Sequence, residues 1–118
     1  MRTLGAVWER AAQAELERAG LRLVARNWQC RYGEIDLIMR DGEALVFVEV
    51  RYRGAASGED PSASIGPAKQ RRLIRAAELF LAAHPAFAQD ACRFDSVAFS
   101  GSADAAACRW ERSAFDAF

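Results

Sequence analysis

Two apolar runs on either side of Asp41-Gly42 constrain this chain more than any other stretch. Gly33-Glu34-Ile35-Asp36-Leu37-Ile38-Met39-Arg40 comes before the dipeptide, and Glu43-Ala44-Leu45-Val46-Phe47-Val48-Glu49-Val50-Arg51-Tyr52-Arg53 follows it. Both flanks are rich in strand formers, and Asp-Gly tolerates the positive φ angles of a tight turn, so the stretch predicts a β-hairpin. With Asp41 and Gly42 as the turn, Arg40 pairs with Glu43, Asp36 lies opposite Phe47, and Glu34 lies opposite Glu49. Side chains alternate along a strand. One face therefore carries Glu34, Asp36, Phe47, Glu49 and Arg51, and the other, formed by Ile35, Leu37, Val46, Val48 and Val50, is wholly apolar. Asp36 and Glu49 become diagonal neighbours, roughly 7 to 8 Å apart, close enough to share a cation.

Carboxylates beside arginines on a strand ordinarily form a solvated, salt-bridged face. Here three acids share a short patch with one arginine, and like charges directly opposite one another destabilise a sheet. A divalent cation removes that cost, so both readings stay open at this point.

The rest of the chain is arranged around the hairpin. Leu4, Val7, Trp8, Ala11, Ala12, Leu16 and Ala19 recur at helical spacing and Gly20 supplies a stop, predicting an amphipathic first helix. Glu9 lies at the edge of its apolar stripe, where a surface charge is ordinary; Glu15 falls nearer the middle and is the more suspicious acid. Leu21 to Asn27 predicts a strand, joined to the hairpin by a polar connection through Gln29-Cys30-Arg31. Gly54 to Gly66, rich in Gly, Ala and Ser, predicts a long surface loop suited either to a substrate-gated segment or to an insertion.

Gly66-Pro67 opens a second helix that runs to about Ala83, before His84-Pro85. Leu73, Ala76, Ala77 and Phe80 form its buried stripe, with Arg71, Arg75 and Glu78 turned away. Lys69 lies on the buried side one turn before Leu73, either snorkelling over apolar surface or answering an anion. An anion nearby is favoured, because the start of a helix is unfavourable for a cation. His84 has no second histidine and reads as structural. Arg93 to Phe99 predicts a further strand, Gly101 to Asp104 a turn and Ala106 to Trp110 its partner, with the tail from Ala114 to Phe118 folding back over its aromatics.

A chain of 118 residues is long enough for one domain with its own core, here residues 1–118. Basic and acidic residues balance at 16 each, so bulk charge implies no tight nonspecific grip on nucleic acid. Lys69 is the only lysine; every other basic residue is an arginine. Cys30, Cys92 and Cys108 are odd in number and widely spaced, which argues against a disulfide framework or a zinc site and for reduced, mostly buried thiols. The absence of an apolar signal core and of any run near 18 apolar residues predicts a cytoplasmic protein without a membrane span.

The order helix, three strands, helix, strand, with Asp36 in the second strand and Glu49-Val50-Arg51 in the third, resembles the PD-(D/E)XK nuclease superfamily. Within it the chain is similar to the small bacterial YraN family, related in fold to the archaeal Holliday junction resolvases. The likeness runs nearly end to end. It takes in Gly5, Glu9 and Ala12, Arg26-Asn27, Gly33-Glu34-Ile35-Asp36-Leu37-Ile38, Phe47 through Arg53, Lys69, Arg93-Phe94-Asp95 and Ala114-Phe115. The resemblance implies a restriction-endonuclease-like α/β fold, a mixed central sheet flanked by helices in the order α-β-β-β-α-β-β. It further implies Asp36 and Glu49 as metal-binding carboxylates, Glu9 as the acid from the first helix, and Mg²⁺ or Mn²⁺ as cofactor for phosphodiester hydrolysis. Structured or branched DNA is the implied partner, and a homodimer is compatible with it.

The sequence departs from the superfamily at one position. The lysine expected two residues after the Glu is Arg51, which cannot lose its proton and so cannot act as a general base. Either Lys69 takes over from the second helix, or the chain is a catalytically silent nucleic-acid-binding or interaction module. Arg51, Arg53, Lys69 and Arg72 are the expected phosphate contacts in both cases.

Overall fold

The structure is a computed structural model that describes residues 4–53, 65–101 and 107–116. The loop expected from Gly54 to Gly66 lies outside the described residues except for its last two, as does most of the turn expected at Gly101 to Asp104.

Helix α1 spans Leu4–Arg18 and buries Trp8, Ala12 and Leu16, spaced four apart along one face. Gly20, at φ 99°, ends it, and the Leu21 N–H donates to the Leu16 carbonyl at 3.0 Å. Strands β1 (Arg22–Cys30), β2 (Gly33–Asp41) and β3 (Ala44–Arg53) follow, then α2 (Pro67–Ala83), a 3₁₀ turn at Pro85–Phe87, and strands β4 (Ala91–Ser100) and β5 (Ala107–Phe115). They form one five-stranded sheet in the order β1-β2-β3-β4-β5. Only β3 and β4 run parallel, as a connection carrying a helix between them requires. The expected mixed α/β sheet with element order α-β-β-β-α-β-β is what forms.

The two helices cover opposite faces. Trp8, Ala12 and Leu16 pack with Leu37, Met39, Val46, Val48, Val97 and Phe99 on one side. Leu73, Ala76, Ala77 and Phe80 of α2 pack with Ile38, Leu45, Phe47 and Phe94 on the other. This double cover explains why Leu45 through Val48 is continuously apolar, each residue at most 1% exposed. Phe80 is the hub of the α2 side, meeting Trp28, Phe47, Phe87 and the His84 ring. His84 Nδ1 also bonds the Phe80 carbonyl oxygen at 2.9 Å, and these contacts give it a structural role. No helix among the described residues is long and apolar enough to cross a membrane.

The hairpin register differs from expectation by one turn position. Asp41 pairs with Ala44, so Gly42 and Glu43 make the turn, with Gly42 at φ 61°. The cause is distant in sequence: Arg93 Nη2 on β4 holds Asp41 Oδ2 at 2.9 Å, keeping Asp41 on the strand. A one-residue move of the turn shifts each cross-strand partner by two, so the side-chain faces survive the change. The exception is Ile35, expected beside Leu37 but packed instead on the α2 side, because alternation breaks at Asp36, whose side chain turns toward the β2–β3 seam.

Strand β1 runs on through Cys30, past the expected end at Asn27. Gln29 and Cys30 pair with Glu34 and Gly33, Gln29 exposed and Cys30 packed against the α2-side core. Likewise β4 and β5 exceed their expected bounds, and Phe115 stacks on Phe94 at 4.6 Å from within β5, not from a returning tail. The three cysteines are free, but only Cys30 and Cys92 are even half-buried; Cys108 is exposed on β5, an edge strand.

Candidate functional site

Asp36 sits where β2 parts from β3. Paired register ends at Leu37 opposite Val48. Beyond it, the Val50 N–H donates to Asp36 Oδ2 at 2.8 Å, so a carboxylate takes the place of a ladder carbonyl. Burial pushes the Asp36 carboxyl up to about 8, with the Glu49 charge next in weight and Glu9 and Glu34 behind it, against the pull of the Val50 N–H. In the isolated protein these surroundings favour the protonated form of the group.

Glu9 comes from α1, one residue after the buried Trp8, and is half-buried itself. One carboxylate oxygen from each of Glu9, Glu34 and Asp36 lies within 4.8 Å of the others. The Asn27 side-chain amide donates to Glu9 Oε1 at 2.7 Å. Helix, first strand and second strand thus meet at one group of acids.

Glu49 follows on β3 with its side chain only 8% exposed, and Lys69 Nζ reaches it from the first turn of α2 at 2.6 Å. The anion expected near Lys69 is therefore Glu49. The lysine remains 48% exposed, its stem leaning over the sheet and its head in the cleft. That cleft, about 260 Å³, is lined by Tyr32, Glu34, Asp36, Glu49, Lys69 and Arg72 among others.

Of the residues expected at the site, Asp36, Glu49 and Lys69 share the cleft, Arg72 stands at its wall, and Glu9 joins the acids from α1. Arg51 is half-buried on β3, paired with Ala98 of β4, and does not line the cleft. Arg53 ends β3 opposite Ser100, and its side chain lies outside the described residues. Glu15, the suspected acid of α1, pairs with Arg18 one turn on and takes no part.

Three site residues were not marked as such by the sequence. Glu34 is one of the three acids of the predicted face, but the resemblance does not imply it as a metal ligand. Tyr32, with the Arg31 guanidinium 5.1 Å from its ring centre, lines the cleft. Asn27 has no local signal, since its role depends on a left-handed backbone, φ 51°, inside a strand.

A further acid, Asp95 on β4, is 1% exposed yet belongs elsewhere. It accepts from Arg93 Nε at 3.0 Å and Nη2 at 3.2 Å, from the Trp110 indole N–H at 2.9 Å and from the Ser113 backbone N–H at 3.0 Å. With that many donors it is a satisfied structural clasp between β4 and β5.

All the candidate ligands are carboxylate oxygens, the donor type of Mg²⁺ and Mn²⁺ and not of thiophilic metals. Three carboxylates, Glu9, Glu34 and Glu49, crowd a buried carboxyl and raise its pKa, and a cation would relieve that crowding. Fold and cleft together define a mixed α/β domain with a carboxylate-lined cleft closed by one lysine. Residues 8–99 match the uncharacterised protein family UPF0102, the YraN family, and the chain belongs to it. It is 56% identical over 111 residues to a UPF0102 protein of Xanthomonas campestris pv. campestris, covering 94% of this chain and 89% of that one. A UPF0102 protein of Stutzerimonas stutzeri is 47% identical over 108 residues (92% and 90%), and one of Ectopseudomonas mendocina 46% over 114 residues (97% and 95%).

Proposed function

We propose that this protein is a Mg²⁺-dependent, endonuclease-like enzyme of the PD-(D/E)XK type that acts on structured or branched DNA. The observation that carries the reading is a cleft lined by Glu34, Asp36, Glu49 and Lys69, with Glu9 of α1 within 4.8 Å of the Glu34 and Asp36 carboxylates. Glu9, Glu34, Asp36 and Glu49 are the groups that would hold the cation. A hard divalent cation polarises a phosphoryl group and acidifies water, the chemistry that phosphodiester hydrolysis needs. Lys69 is within reach of the same space and is the group for orienting water or a phosphate oxygen, the task that Arg51 cannot perform as a base. Lys69 and Arg72 together give the cleft wall the positive charge that a DNA backbone requires.

A second reading, a catalytically silent nucleic-acid-binding or interaction module, is favoured by Arg51 standing in the lysine position outside the cleft. Mn²⁺ titration followed by cleavage assays on branched and linear DNA separates the two. The enzyme reading expects Mn²⁺ uptake that Asp36→Asn abolishes, and cleavage that EDTA stops. Uptake without cleavage leaves the silent module, and neither uptake nor DNA binding at low salt removes both.

A further inference from the structure

We propose that Asn27 is a positioning residue that holds Glu9 ready for a cation, an inference that rests on the metal-site reading above. Asn27 lies within β1 at φ 51°, a left-handed conformation foreign to strand interiors and one that asparagine tolerates better than most residues with a Cβ. Pairing on either side is kept, with Arg26 opposite Leu37 and Trp28 opposite Ile35, which sets Asn27 across from Asp36. An extended residue would serve that register at less conformational cost. What the left-handed backbone accompanies is the side-chain bond from Nδ2 to Glu9 Oε1, at 2.7 Å, joining the sheet to α1.

The chemistry of the bond suits a metal site. A glutamate on a helix surface samples several rotamers, and one fixed donor selects among them. The side-chain amide carries no charge, so it restrains the carboxylate without neutralising it, as an arginine or lysine would. Glu9 is thus held beside Glu34 and Asp36 by a partner that brings no counter-charge. Partners of this kind, bonded to a ligand and not to the metal, tune affinity through the ligand's orientation.

Calorimetric titration of Mn²⁺ into the full-length protein tests this, comparing wild type, Asn27→Gly, Glu9→Ala and the double variant. Glycine adopts a positive φ freely, so Asn27→Gly keeps the backbone and deletes only the amide. The expected result is a Kd raised about 10-fold with the melting temperature held or increased. Adding Asn27→Gly to Glu9→Ala should raise Kd no further, because both remove the same interaction. A merely structural Asn27 would instead change melting and leave Kd alone. An unchanged Kd in Asn27→Gly, or additive effects in the double variant, overturns the role of Asn27 while Mn²⁺ binding lost in Asp36→Asn keeps the metal site standing. Wild-type protein that takes up no Mn²⁺ overturns both.

Discussion

Lys69 Nζ and Glu49 Oε1 meet at 2.6 Å, tying the first turn of α2 to β3 at the wall of the cleft. The glutamate is nearly buried and the lysine half exposed, so the glutamate depends on the lysine more than the reverse. Removing Lys69 leaves a desolvated carboxylate without its counter-charge, which costs about 1 to 3 kcal/mol. Lys69→Ala should therefore lower the urea midpoint, and a divalent cation should restore part of the loss.

The same variant tests the chemistry. Mn²⁺-dependent cleavage of branched DNA should fall by about 10²- to 10⁴-fold in Lys69→Ala, the range that a positioned acid–base group supplies. Arg51→Lys in that background should recover little, since residue 51 does not line the cleft. Cleavage undiminished in Lys69→Ala would count against any role for this lysine.

Asp36 sets the pH dependence. Its carboxyl, at about 8 in the fold against an ordinary 3.8, binds a proton more tightly folded than unfolded. Between those values the unfolded chain has lost its proton and the folded one has not, so stability falls as pH rises and levels off above about 8. Denaturation in EDTA should show this slope in wild type and lose most of it in Asp36→Asn. That variant should be more stable by about 2 kcal/mol at alkaline pH. Since Mn²⁺ must displace the proton, its affinity should climb over the same interval.

Asp95 offers a contrast, being more deeply buried and held by several donors. Asp95→Ala deprives the Trp110 indole and the Ser113 N–H of their acceptor and leaves the Arg93 guanidinium to Asp41. A loss of about 3 kcal/mol is expected, with Mn²⁺ affinity of the folded fraction unchanged. Glu34→Gln, at an exposed position, should do the opposite: it should weaken Mn²⁺ binding and leave the melting temperature nearly unaltered.

The arginines of α2 divide by geometry. Arg72 lines the cleft, whereas Arg71 and Arg75 are exposed away from it. Fluorescence anisotropy with branched DNA should give a log–log salt slope that drops by about 0.9 in Arg72→Ala, one phosphate contact. Arg71→Ala and Arg75→Ala should leave it unchanged.

The parts of this fold that were legible in the sequence are those written in local periodicity. Leu73, Ala76, Ala77 and Phe80 show the buried face of α2 directly, and they are its buried residues. The sharing of one cleft by Asp36 and Glu49 follows from strand alternation, which tolerates an error of one turn residue. What was not legible depends on partners far along the chain. Arg93 fixes where the hairpin turns, and the seam contact from Val50 to Asp36 sends Ile35 to the other face. Asn27 became a candidate only once its φ angle was known.

The bond from Val50 to Asp36 makes one carboxylate of the cleft part of the sheet's own fabric. Its companions in the cleft are hung more loosely: Glu34 on an exposed strand start and Glu49 on a lysine that is itself half in water. A coordination shell built from one fixed corner and adjustable others would not select by ionic radius. Ca²⁺, with ligands at about 2.3 to 2.6 Å, should occupy it as readily as Mg²⁺ at about 2.0 to 2.1 Å. Discrimination between ions would then fall to the reaction each supports, not to the size of the hole.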